Sequence, residues 1–143
     1  MWSTETSSKS TVRRGVPWST DLVIAAAAVI CTMVMWLCTV QLGGLNLAVV
    51  NDNEVRHISG VAVALSAGMA AILGLIALRG LERLTPKALL IWTSVAVVAA
   101  ALSALGPLSA TSSEVAGTLL GMHGVVAAVV LAGAWRSRRP AIR

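Results

Sequence analysis

Histidine is the residue type in this chain best fitted to proton or ligand chemistry, and there are two, His57 and His123. His123 is the one that stands inside an apolar run, about 13 Å from its start at 1.5 Å per residue. An ionisable side chain in an apolar span is a candidate relay member, ligand or counter-ion. The plainer reading, and the preferred one, is a neutral imidazole hydrogen-bonded across a helix bundle to Ser103, Thr118 or a backbone carbonyl. His57 falls at the rim of the neighbouring run, so the two imidazoles stand at different depths and do not suit axial ligation of one haem. Asp52, Glu54 and His57 share a connection, but their spacing matches no closed metal site, and a solvated acidic loop is the simpler account. Cys31 and Cys38 are two helical turns apart, about 10.5 Å, beyond the roughly 7 Å between Cα atoms that a disulfide spans. They are expected to be small buried fillers. No catalytic, cofactor-binding or metal-ligating set emerges.

The elements that position His123 follow from composition. The chain has 143 residues, 57% hydrophobic and 12% charged, with neither Phe nor Tyr and five Trp. A water-soluble domain carries about twice that share of charge, so the expected solvent is lipid. Four runs free of Asp, Glu, Lys and Arg approach the roughly 20 residues needed to cross about 30 Å of hydrocarbon: Leu22–Leu42, Ile58–Leu78, Ala88–Leu105 and Val115–Trp135. They are too long and too rich in alanine for barrel strands, and helices satisfy their own backbone. Ser19, Thr20 and Asp21 offer capping oxygens before the first run, and Ser112, Ser113 and Glu114 before the fourth. Gly43-Gly44, Thr85-Pro86 and Gly106-Pro107 punctuate the ends. The first run is longer than a signal-peptide core and follows a polar tail, so it reads as an uncleaved anchor. The expectation is a single all-α domain, an integral membrane four-helix antiparallel bundle, with flexible tails over 1–20 and 136–143. The Ser103–Ser109 turn and Thr111–Glu114 read chiefly as helix termination and capping.

Charge orients the bundle. Lys9, Arg13, Arg14, Arg79, Arg83, Lys87, Arg136, Arg138, Arg139 and Arg143 fall on one side of a four-span topology, leaving Arg56 alone opposite. With Glu5, Asp21 and Glu82 on the first side and Asp52, Glu54 and Glu114 on the second, the faces carry +7 and −2. Basic flanks stay cytoplasmic, so both termini are expected inside. Trp18, Trp92 and Trp135 fall near the same ends, where indoles sit among headgroups. The pI near 10.7 therefore reflects topology, and the basic cluster Arg136, Arg138 and Arg139 is assigned to the membrane surface rather than to nucleic acid.

Small residues recur every fourth position. Ala62, Ser66, Ala70 and Gly74 make one ridge on the second helix, and Gly60, Ala64 and Gly68 another. Ala96, Ala100 and Ala104 follow on the third, and Gly117 and Gly121 form a G-x-x-x-G on the fourth. Such ridges let helices approach closely in lipid, where packing drives association. They are expected to pack within the monomer first and at a dimer face second. Gly121 and His123 lie about 160° apart around their helix, so they face different neighbours.

The segments Leu102–Ala110, Glu114–Thr118 and Gly121–Ala128, with their Ser/Pro-rich turn and Met122-His123 pair followed by Val and Ala, resemble a family of small actinobacterial membrane proteins of unknown function. The resemblance is best over Trp92–Val130. It implies four spans and a plasma-membrane location, and carries no activity or catalytic residue. The leading functional expectation is a non-enzymatic accessory or scaffold protein in the lipid bilayer, as a homo-oligomer or beside a membrane-protein partner. The alternatives are a small transporter or proton-coupled subunit using His123, and, behind it, a membrane oxidoreductase.

Overall fold

A computed structural model describes residues 16–45, 47–51, 54–105 and 112–139. Helix α1 (Trp18–Trp36) continues as one wider π-helical stretch, Leu37–Leu42; a hairpin β1 (Ala48–Asn51) and β2 (Glu54–His57) follows; then come α2 (Gly60–Leu84), α3 (Ala88–Ser103) and α4 (Ser113–Arg138). The expected helical class holds. α1 with its continuation, α2 and α4 are long and apolar enough to cross a membrane, whereas α3 is a shorter apolar helix of 16 residues.

The helices form where the apolar runs predict, but α2 and α4 run on into their basic ends, to Leu84 and Arg138. Ser112 caps α4, its Oγ accepting from the Val115 amide at 3.3 Å, and Ser59 does the same for α2. α1 differs from expectation: Pro17 occupies its N-cap without a side-chain bond, and Asp21 sits inside the first turn facing other helices. At the far end of α1, Gly44 takes φ +65°, a left-handed conformation that glycine adopts freely and that ends the helix. Gly106-Pro107 and most of the Ser103–Ser109 turn lie outside the described residues, as do residues 1–15 and 140–143 of the tails.

The hairpin was not anticipated. Ala48 pairs with His57 and Asn51 with Glu54 in antiparallel register. Val-rich flanks around an Asp-Asn pair are a recognisable hairpin signal. At its base the Ile58 amide donates to the Leu47 carbonyl at 2.8 Å, and buried Leu47 joins Val63, Val115, Leu119 and Met122 in a cluster closing that end of the bundle.

Helix directions follow from what touches what. Ile24 lies against Gly133 and Met35 against Gly121; Trp36 covers Gly60 and Val29 meets Gly68. α1 is therefore antiparallel to α2 and to α4. α3 is held at its start by Trp92, whose indole N–H donates to the Gly74 carbonyl at 2.7 Å, and by Thr93, whose hydroxyl accepts from Trp135 at 2.9 Å. The second core cluster, Ile24, Ala28, Ala71, Leu75, Leu78, Trp92, Val130 and Ala134, fills this half.

Polarity runs opposite to that of a water-soluble bundle. Val23, Leu65, Met69 and Val95 are each more than 60% exposed, while Asp21 is 4% exposed. An apolar outer surface of this extent is the mark of a lipid-facing protein. Cys31 and Cys38 belong to it: both are exposed free thiols, not buried fillers, because α1 buries the face carrying Ile24, Ala25, Ala28 and Thr32.

Candidate functional site

Beyond Trp92 the residues of α3 are exposed or half-buried. Helices α2, α3 and α4 there border a half-open cavity of about 700 Å³, with Thr32 of α1 in its wall. Its lining explains why it exists. The ridge Ala62, Ser66, Ala70 and Gly74 faces it, as do Ala96, Ala99 and Ala100. Close packing at such ridges requires a partner backbone to come near; here α3 stands off, and the missing side-chain volume is left as space. The tightly buried row of α2 is instead Val63, Ala67, Ala71, Leu75 and Leu78.

His123 lines this cavity, together with Ser103, Ser66 and Thr32. The His123 Nδ1–H donates to the Leu119 carbonyl of its own helix at 2.8 Å, so the bond is local and does not cross the bundle. Thr32 Oγ donates to the Ala28 carbonyl at 2.7 Å and Ser66 Oγ to that of Val63 at 3.0 Å. Thr118 lies outside the lining, five residues and about 140° around α4 from His123. The structure thus brings His123 and Ser103 to one space and leaves Thr118 apart.

The sequence-derived packing residues divide. Gly60 allows close approach, since a Cβ there would stand 3.1 Å from the Trp36 ring; at Gly121 a Cβ would meet only the flexible end of Met35, with Cε at 2.6 Å, which can move aside. Gly68 is in ordinary contact with Val29, Ala64 is half-buried, and Gly117 faces open space. Gly133, not singled out from spacing, is more crowded than Gly117 or Gly68, with Ile24 within 2.8 Å of a Cβ.

At the other end of the bundle the structure assembles a charge cluster. Asp21 accepts from Arg79 Nε, and from Arg138 Nη2 at 3.2 and 3.3 Å; Arg138 Nε also donates to Glu82 at 2.7 Å. Arg79 donates further to the Val16 carbonyl at 2.9 Å and stacks over Trp18 at 4.2 Å. These groups come from α1, α2 and α4, so sequence spacing holds no signal for the cluster. Of the basic residues assigned to the membrane surface, Arg136 and Arg139 are exposed, with Arg139 5.0 Å from the Trp135 ring, whereas the Arg138 side chain is 5% exposed. Trp18 is exposed and Trp135 half-buried. Trp92 is in the core and not at a headgroup surface, because its indole N–H finds Gly74.

Neither curated proteins nor solved structures give a match to this chain. A family model does, over residues 12–140, and the chain belongs to that family, a family of unknown function, DUF6069.

Proposed function

We propose that this family member is a four-span protein of the plasma membrane, with both termini in the cytoplasm, serving as a non-enzymatic accessory component that holds an apolar molecule between its helices. The observation that carries the reading is the cavity. Its volume lies in the range of small-molecule sites, and its wall is dominated by Ala and Val. The Thr32 and Ser66 hydroxyls already donate to carbonyls of their own helix, which suits a binding wall better than a reacting one.

The contact of Arg138 with Asp21 joins the end of α4 to the start of α1, which supports an even number of crossings with α3 as the fourth. The one-sided distribution of Lys and Arg supports the cytoplasmic assignment, and Arg136 and Arg139 beside Trp135 suit an anionic headgroup layer. The earlier resemblance supports an actinobacterial membrane. Alkaline phosphatase fused after Arg143 should be inactive; high activity would overturn the orientation. For the cavity, the test is organic extraction of protein purified in lipid, followed by mass spectrometry. A lipophile retained by the native chain and lost on Ala96→Phe supports the reading, and equal retention by both overturns it.

The alternative of a small transporter draws on one observation, that His123 faces the cavity. A pH-dependent flux through reconstituted protein that is abolished by both His123→Ala and His123→Gln would favour it.

A further inference from the structure

The arrangement around His123 defines what kind of molecule the cavity takes, an inference that rests on the cavity reading above. A carbonyl oxygen only accepts, so the contact with Leu119 places the proton of the neutral ring on Nδ1. The lone pair of Nε2 is then the ring's remaining polar function, and among the described residues it has no partner. His123 is exposed on the half-open cavity, and an acceptor facing an apolar medium is costly unless a donor meets it.

The polar groups of the cavity are gathered at one level. Heights along the helices follow from 1.5 Å per residue, registered by the contacts Trp36–Gly60 and Met35–Gly121 and by the Trp92–Gly74 hydrogen bond. Thr32, Ser66, Ser103 and His123 then fall in a band about 5 Å deep. The lining of α2 extends from Ala62 to Ala77, about 22 Å. A space of that length, lined chiefly by alanine and valine, matches an extended hydrocarbon chain.

We infer that the cavity binds a single-chain lipophilic alcohol, its hydroxyl donating to His123 Nε2 and its chain lying along the alanine-lined slot toward Trp92. Ser66 and Thr32 stand in the same band. An ester or a plain hydrocarbon fills the slot but leaves Nε2 unmet.

The test uses the full chain, labelled with [15N]histidine, in phospholipid nanodiscs. It is titrated with 1-dodecanol or with dodecyl methyl ether, which has the same chain and no donor. Affinities come from the rise in unfolding temperature with ligand concentration. The expected result is saturable binding of the alcohol with a shift of the His123 Nε2 resonance while His57 stays in place, and roughly five- to tenfold weaker binding of the ether. In His123→Leu the alcohol should fall to the affinity of the ether, and His123→Gln should restore part of the difference. Saturable but equal binding of the two probes, or an unmoved Nε2 resonance, would overturn the inference and leave the cavity reading standing. If neither probe saturates, and Ala96→Phe changes nothing, both fall.

Discussion

Replacing Asp21 by Asn removes the charge that joins three helices while keeping the size of the side chain. Asp21 and Arg138 have side chains 5% exposed and Arg79 16%, so the substitution leaves two guanidinium groups largely shielded and short of a carboxylate. Breaking a buried ion pair from one side costs about 3–5 kcal/mol. Two features place this case toward or below the low end. Arg138 retains Glu82 at 2.7 Å, and Glu82 is 36% exposed, so water reaches the edge of the cluster. An expected loss of about 2–3 kcal/mol follows, roughly a 30- to 150-fold change in the folded-to-unfolded ratio. Reversible unfolding in mixed micelles with increasing SDS measures it, and Trp18, stacked under Arg79, reports on the cluster itself. The exposed Glu114→Gln should lose under about 1 kcal/mol in the same assay. Replacing Asp21, Arg79 and Arg138 together by apolar residues should recover much of the loss, since only Glu82, whose side chain is 36% exposed, then loses its partner. An Asp21→Asn protein within about 0.5 kcal/mol of the native chain would refute the assignment of the cluster as a buried, three-helix junction.

Gly133→Ala should cost about 1–3 kcal/mol, because three carbons of the branched Ile24 side chain lie within 3.1 Å of the new Cβ. Gly117→Ala, with nothing within 4 Å, should be neutral or stabilising by up to about 1 kcal/mol in the same unfolding assay. Trp92→Phe keeps the ring but removes the bond to Gly74, and should lower stability by about 1 kcal/mol while loosening the start of α3, seen as faster amide exchange there. Cys31 on α1 and Cys38 on its π-helical continuation, both exposed, should react with a lipid-soluble maleimide in nanodiscs, and protection of both would contradict the lipid-facing assignment of that side.

Much of this architecture was legible in the residues. The apolar runs, Ser112 as a cap, and Gly43-Gly44 as a terminus report local rules of burial, capping and backbone freedom, and local rules need no partner to be read. His123 was likewise visible, since an imidazole within an apolar run stands out wherever it points. The hairpin has a weaker signal, Val-rich flanks around Asp52-Asn53, because a short pairing leaves less pattern than a helix of about twenty apolar residues.

What could not be read is whatever depends on which helices meet. A row of alanines has the same sequence pattern whether a neighbour fills the groove or stands off it, so the ridge on α2 read as an interface and proved to be the wall of a cavity. Asp21, Arg79 and Arg138 are 58 and 117 residues apart in their two pairings, and only antiparallel packing of α1 against α2 and α4 brings them together. Sequence alone determined the helices and the lipid-facing character, because both follow from the transfer of side chains out of water. The tertiary structure decided where space remains and which charges pair, because those depend on distances between helices that no spacing along one helix encodes.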